Sequence, residues 1–155
     1  MNRIIITDTS CLIALSNINE LQILPDLFHE IIITPEVSAE FGEKLPDWIK
    51  VTEVSNRQKQ AELEKILDSG EASSLALALE SENSILLIDE IKGRRIARSL
   101  NVEIIGTIGV IVLAKKKGIV KDIMSLIEKL ISKGFRLSDK LIDNLNDEYG
   151  NHPKP

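Results

Sequence analysis

Short apolar runs alternate with longer helical patterns along this chain, and that alternation sets the expected architecture. Arg3 to Thr7 (RIIIT) is a nearly continuous apolar run ending at Asp8, as in a strand buried on both faces. Thr9-Ser10 opens an apolar helix, CLIALSNI, and a second short helical stretch lies near 20–28. A further buried strand, Glu30 to Ile33, leads into Thr34-Pro35. Thr34 can cap a helix there and Pro35 suits its first position; the helix PEVSAEFGE then stops near Gly42. Ile49 to Val54 (IKVTEV) alternates apolar and polar positions as an edge strand does. Ser55 with Gln58 three residues on reads as a capping box for a helix reaching about Leu67. Ser69-Gly70 breaks that helix, and Glu71 falls in the first turn of the next, EASSLALALES, with Ala72, Leu75, Ala76 and Leu79 as its core face. Ser84 to Ile88 is a third buried strand, ending at Asp89. A basic helix (IKGRRIARSL), a short strand Val102 to Ile105, and helical patterns over about 107–117, 121–133 and 138–148 complete the chain.

Buried strands alternating with helices predict an α/β fold of three layers, α/β/α, with a central parallel sheet of four to five strands flanked by helices. Right-handed crossovers put every strand-to-helix junction at one edge, where ligands of such folds bind. The 155 residues suit one domain over residues 1–150, with residues 151–155 as a disordered tail.

Composition narrows the chemistry. Aromatics are only 3%, so Ile, Leu, Val and Ala must build the core. A single Cys11 rules out an internal disulfide and a multi-cysteine zinc site, and two histidines, His29 and His152, rule out a histidine-rich one. The longest apolar stretch, Ile104 to Ala114, is too short to cross a bilayer. A cytoplasmic protein without membrane attachment is the expectation. The net charge of −5 argues mildly against non-specific nucleic-acid binding, although a carboxylate cluster that holds metal would account for much of it.

Asp8 and Asp89 each directly follow a buried strand, so both are expected at the carboxyl edge of the sheet. Taken singly, each is as easily a helix-capping acid. Glu40, beside Phe41 and one turn from Val37, is expected nearer the buried side of its helix than Glu36, which reads as a solvated first-turn glutamate. Glu71 gains its weight from the company of the other acids. Gathered carboxylates repel one another unless a cation neutralises them, and Mg²⁺ or Mn²⁺ prefers such oxygen ligands. No Gly-Lys-Ser/Thr phosphate loop, glycine-rich dinucleotide fingerprint or Gly-x-Ser-x-Gly elbow is present.

TDTSCLIAL, TPEVSAEF, GEASSLALA and LIDEIKGRRIA, in that order and at these separations, resemble the motifs of PIN-domain ribonucleases. The following NVEIIGTIGVIVLAKKKGIV is similar to the signature of a prokaryotic subgroup related to the toxins of VapBC-type toxin–antitoxin modules. The resemblance runs from about residue 3 to residue 120 and implies a PIN-like fold. It carries the family's acids onto Asp8, Glu40, Glu71 and Asp89 as catalytic residues, with Asp8, Glu71, Asp89 and Glu90 as metal ligands. Glutamate at position 71, where aspartate is commoner, and Glu90 after Asp89 depart from the usual pattern and leave the number of metals open. The resemblance further implies a Mg²⁺- or Mn²⁺-dependent endoribonuclease, RNA as substrate, a small antitoxin protein as inhibitor, and a homodimer.

Positive charge for RNA phosphates stands next to these acids. Lys92, Arg94, Arg95 and Arg98 follow Asp89 on one helix, where pairing with the acids and contact with substrate are equal readings; Ser10 offers a hydroxyl near Asp8, although N-cap service for Ser10 is an equal reading. The run Lys115-Lys116-Lys117 reads better as a solvated helix end. Two other functions compete: a PIN-like RNA- or protein-binding module that has lost catalysis, and a DNA nuclease, which usually carries more acids and longer insertions.

Overall fold

The computed structural model describes residues 3–150. The expected tail, 151–155, lies outside the described residues, as do residues 1–2. In chain order the elements are β1 (Ile4–Thr7), α1 (Thr9–Asn17), α2 (Ile23–Leu27), β2 (Glu30–Ile33), α3 (Pro35–Phe41), β3 (Ile49–Val51) and α4 (Arg57–Glu64). There follow α5 (Ser69–Leu79), β4 (Ser84–Leu87), α6 (Ile91–Ser99), β5 (Ile104–Ile105), α7 (Thr107–Lys116), α8 (Ile123–Ser132) and α9 (Asp139–Tyr149). The strands form one five-stranded sheet in the order β3-β2-β1-β4-β5, and every pair is parallel.

The isoleucine runs explain the three layers. Side chains alternate across a strand, and here both faces are covered. Ile5, Ile31, Ile33 and Leu87 point into a core shared with Leu12 and Leu15 of α1, Val110 and Ile111 of α7, and Ile127 of α8. Ile6, Ile32, Leu86 and Ile88 point the other way, against Leu63 of α4, Leu75 of α5 and Ala97 of α6. A polar residue at any of these positions would leave one layer unsealed, hence the continuous apolar runs.

Thr34 and Pro35 behave as expected. The Thr34 hydroxyl accepts from the Val37 N–H, and α3 ends at Gly42 in the left-handed conformation, φ 69°. Several local expectations are corrected. Ser55 does not cap α4: Asn56 does, accepting from Lys59 N–H, while the Ser55 N–H donates to Glu80 at 2.7 Å. The edge strand stops at Val51 and β5 holds only two residues. Gly70 does not break a helix; it lies inside α5, which Asp68 caps in a capping box with Glu71. Leu79 is 37% exposed, whereas Leu77 and Ala78 are buried, because α5 is enclosed from Ala72 to Ala78 rather than on one stripe.

Candidate active site

The strand order turns at β1. Connections run from β1 to β2 and β3 on one side, and β4 and β5 lie on the other, so the crevice opens between the carboxyl ends of β1 and β4. Thr7 pairs with Leu87 in register, and the Asp8 N–H donates to the Leu87 carbonyl at 3.2 Å. Asp8 and Asp89, the residues leaving those two strands, are thereby placed side by side.

Asp8 is 2% exposed and caps α1, its Oδ1 accepting from the Cys11 N–H at 3.0 Å. Burial pushes its carboxyl up to about 6; the hydrogen bonds from Cys11 oppose that, and the charges of Asp89 and Asp68 add to it. Asp89 is gripped by three donors: the Thr107 N–H at 2.9 Å, the Thr107 hydroxyl and the Cys11 thiol at 3.1 Å. Cys11 therefore touches both aspartates, its N–H on one and its Sγ on the other. Burial raises its thiol well above the ordinary range.

The glutamates come from the far side of the crevice. Glu40 accepts from the Thr9 hydroxyl at 3.0 Å and shares a cleft of ≈ 280 Å³ with Asp8, Ser10, Asp68 and Glu71. Its expected burial is not observed: Glu40 is exposed, and Glu36 is the better covered of the two. Glu36 is not simply solvated either, since Gln60 donates to it and Arg57 lies 3.8 Å away. The backbone at Gly70 makes this packing possible. A Cβ there would collide with the Glu40 carboxylate and come within 2.7 Å of Thr9 Oγ1. Glu71 carries its carboxyl at about 7, raised by burial first, then by Asp68, and by the charge of Glu90.

Helix starts surround all of these acids. Asp8 begins α1, Asp68 begins α5, Glu90 begins α6 by accepting from Gly93 N–H at 2.7 Å, and Asp89 takes the first N–H of α7. Aligned N–H dipoles favour negative charge at each point. No ion pair recorded among the described residues involves Asp8, Glu40, Glu71, Asp89 or Glu90.

Each residue singled out from the sequence can be placed. Asp8, Glu40 and Glu71 meet in the cleft, with Asp89 beside Asp8; Glu90 serves as the α6 cap, and Ser10 is exposed at the lip, capping nothing. Arg94 turns inward and donates to the Ile88 carbonyl at 2.8 Å, whereas Arg95 and Arg98 stay exposed on α6. Sequence reasoning missed Thr9, Cys11, Asp68 and Thr107. Asp68-Ser-Gly-Glu71 carried a readable capping-box spacing; the roles of Cys11 and Thr107 depend on contacts between distant segments.

The donor set suits a hard divalent cation, being all carboxylate and hydroxyl oxygen apart from one buried thiol. The buried Asp8, raised in pKa and with no cation recorded against it, supports the same fit. As the side chains lie, however, no three His, Cys, Asp or Glu among the described residues form a group that could hold a metal ion.

An all-parallel α/β sheet with carboxylates at its switch point places this chain among α/β proteins whose ligands bind beyond the carboxyl ends of the strands. Residues 4–151 match the family model DUF3368, described as a PIN domain, and the chain belongs to that family. PIN domains are in general nuclease-type hydrolases and typically use divalent metal ions. No curated protein and no solved structure gave a match. No helix among the described residues is long and apolar enough to cross a membrane.

Proposed function

We propose that this chain is a Mg²⁺- or Mn²⁺-dependent endoribonuclease, the toxin of a type II toxin–antitoxin module. The observation that carries the reading is the buried Asp8, held against Asp89 across Cys11 with no ion pair of its own among the described residues. When bound, the ion supplies Lewis acidity and neutralises charge at the phosphodiester. Asp8, Glu71 and Asp89 would hold it, with Glu90 able to join once its cap bond is shared. Thr107 and Cys11 keep the Asp89 carboxylate aimed at the crevice, and Thr9 keeps Glu40 at its mouth. Arg95 and Arg98 on the exposed face of α6 offer charge for the RNA backbone, and Ser10 a donor at the lip. A small antitoxin that covers the cleft, and pairing of two copies into a homodimer, belong to the same cytoplasmic reading.

A second reading has one observation behind it. Because no three acids stand within reach of one ion, a PIN-like module that binds RNA or protein without cutting it also fits. The test is metal-stripped protein with labelled RNA, with Mg²⁺ or Mn²⁺ added back, beside an Asp8→Asn/Asp89→Asn double variant. Cleavage that needs the metal and vanishes in the variant supports the nuclease. Equal inertness of both proteins, with no heat of metal binding in calorimetry, supports the binding module.

A further inference from the structure

Beyond Asp89, on the side away from Glu40, lies a second hollow of ≈ 520 Å³, between the β5–α7 junction and the α8–α9 connection. Its walls are Ile105, Ile108, Leu137 and Leu141; Asp89 and the inward-turned Arg94 line its inner end, and the exposed Arg136 stands at its rim. The volume falls within the roughly 300–1,000 Å³ typical of small-molecule sites. Leu141 is 37% exposed and Arg136 is exposed, so the groove offers an apolar floor and positive charge to solvent together. The acidic cleft next door has the opposite character.

Phe135 links the two. It lines this groove and also a smaller hollow of ≈ 170 Å³ beside Ser10 and Ile13 at the lip of the acidic cleft. A chain passing from that lip across Phe135 would meet, in order, a hydroxyl, an aromatic ring, an apolar trough and the guanidinium group of Arg136. Single-stranded nucleic acids are held by this sequence of features, with bases on aromatic or apolar surface and phosphates on arginine.

We propose that this groove is a nucleotide subsite, holding one base of a single-stranded RNA against Phe135, Ile108 and Leu141 and the adjoining phosphate at Arg136. The proposal rests on the reading of the neighbouring acidic cleft as a ribonuclease site and adds where the strand lies beside it. An apolar peptide is the competing occupant. Charge complementarity decides against it: the exposed Arg136 beside an apolar floor matches a base with its phosphate, whereas an apolar peptide leaves that charge without a counterpart.

The test uses the whole protein in EDTA, so that binding is read without cleavage. Short single-stranded RNAs carrying one 4-thiouridine are bound, irradiated, and the adduct mapped by mass spectrometry; affinity is followed by anisotropy. Adducts in residues 104–109 or 135–141 are expected. The exposed-residue variant Arg136→Ala should weaken binding several-fold and lower the salt slope by about one. Replacing one nucleotide by an abasic unit should weaken wild type about ten-fold, by loss of stacking, without touching the protein. Adducts confined to α6 or to Lys115–Lys117, unchanged binding by Arg136→Ala, or no RNA binding by wild type would each overturn the subsite. Metal-dependent cleavage measured separately, wild type against Asp8→Asn/Asp89→Asn, decides the nuclease reading, so either idea can fall without the other.

Discussion

At the amino edge of the sheet, charge is paired. Arg3 meets Glu103 at 3.0 Å and Lys50 meets Glu30 at 3.2 Å, all near the starts of strands. At the carboxyl edge Asp8, Asp89, Glu71 and Glu90 lie at helix N-termini and Glu40 lines the same cleft as Asp8 and Glu71, and none of the five is in an ion pair among the described residues. The same sheet supports both arrangements, but only one is at rest electrostatically. Natural proteins accept such local cost where function demands it, and the difference is what supports the proposed function at the carboxyl edge.

The contrast can be broken most sharply through activity. Asp89→Asn, with Asp8 intact, should lower metal-dependent RNA cleavage by at least about 100-fold, measured as initial rate on a fixed RNA. The matching change at the amino edge, Glu103→Gln, should leave that rate within a factor of about two.

Stability should show the same asymmetry with pH. Asp8 titrates near 6 in the fold against 3.8 in the open chain. Between those values the folded state holds a proton that the unfolded chain has lost, so stability falls as pH rises through this window. The loss is roughly 3 kcal/mol and is complete above the folded value. Glu71, raised from 4.5 to about 7, acts in the same direction up to neutral pH, with solvent screening reducing its effect. Metal-free protein should therefore melt at a lower temperature at pH 7.5 than at pH 5. Asp8→Asn keeps a good capping residue and should flatten that dependence, raising stability at pH 7.5 by about 1–3 kcal/mol. Added Mg²⁺ or Mn²⁺ should stabilise wild type more at pH 7.5 than at pH 5. A melting temperature that rises with pH in the absence of metal would remove the electrostatic part of the contrast.

Gly70→Ala is a finer probe. The new Cβ meets the movable ends of Glu40 and Thr9, so it should displace Glu40 from the cleft and reduce activity, with stability changed by about 1 kcal/mol. The smallest effect belongs to Glu103→Ala, expected to alter stability by under about 1 kcal/mol, since the glutamate is 59% exposed.

What the sequence disclosed, and what it did not, divides along similar lines. The isoleucine runs and the acids that end them gave the parallel sheet and the places of Asp8 and Asp89, because strand period and strand ends are local properties. Thr34-Pro35 was equally plain. The choice between Ser55 and Asn56 as cap depended on Glu80, which takes the Ser55 N–H from a distant helix. Glu36 looked solvated because Arg57 and Gln60 reach it only in the fold. Gly70 read as a breaker, whereas its role is the close approach of α5 to Glu40 and Thr9. Cys11 and Thr107, which hold Asp89, belong to helices far apart in the chain that meet only once the domain has folded.

That meeting also sets a schedule. Asp8 leaves the ribosome early, but β1 cannot pair with β4 until Ser84–Leu87 has emerged, and Asp89 is not fixed until Thr107 follows. Chains appear N-terminus first, and contacts between distant segments form late. Until then Asp8 caps α1 without Asp89 beside it. A nonsense mutation anywhere before Asp89 leaves a fragment without the second aspartate. The Asp8–Asp89 pair appears only when β1, β4 and α7 first coexist.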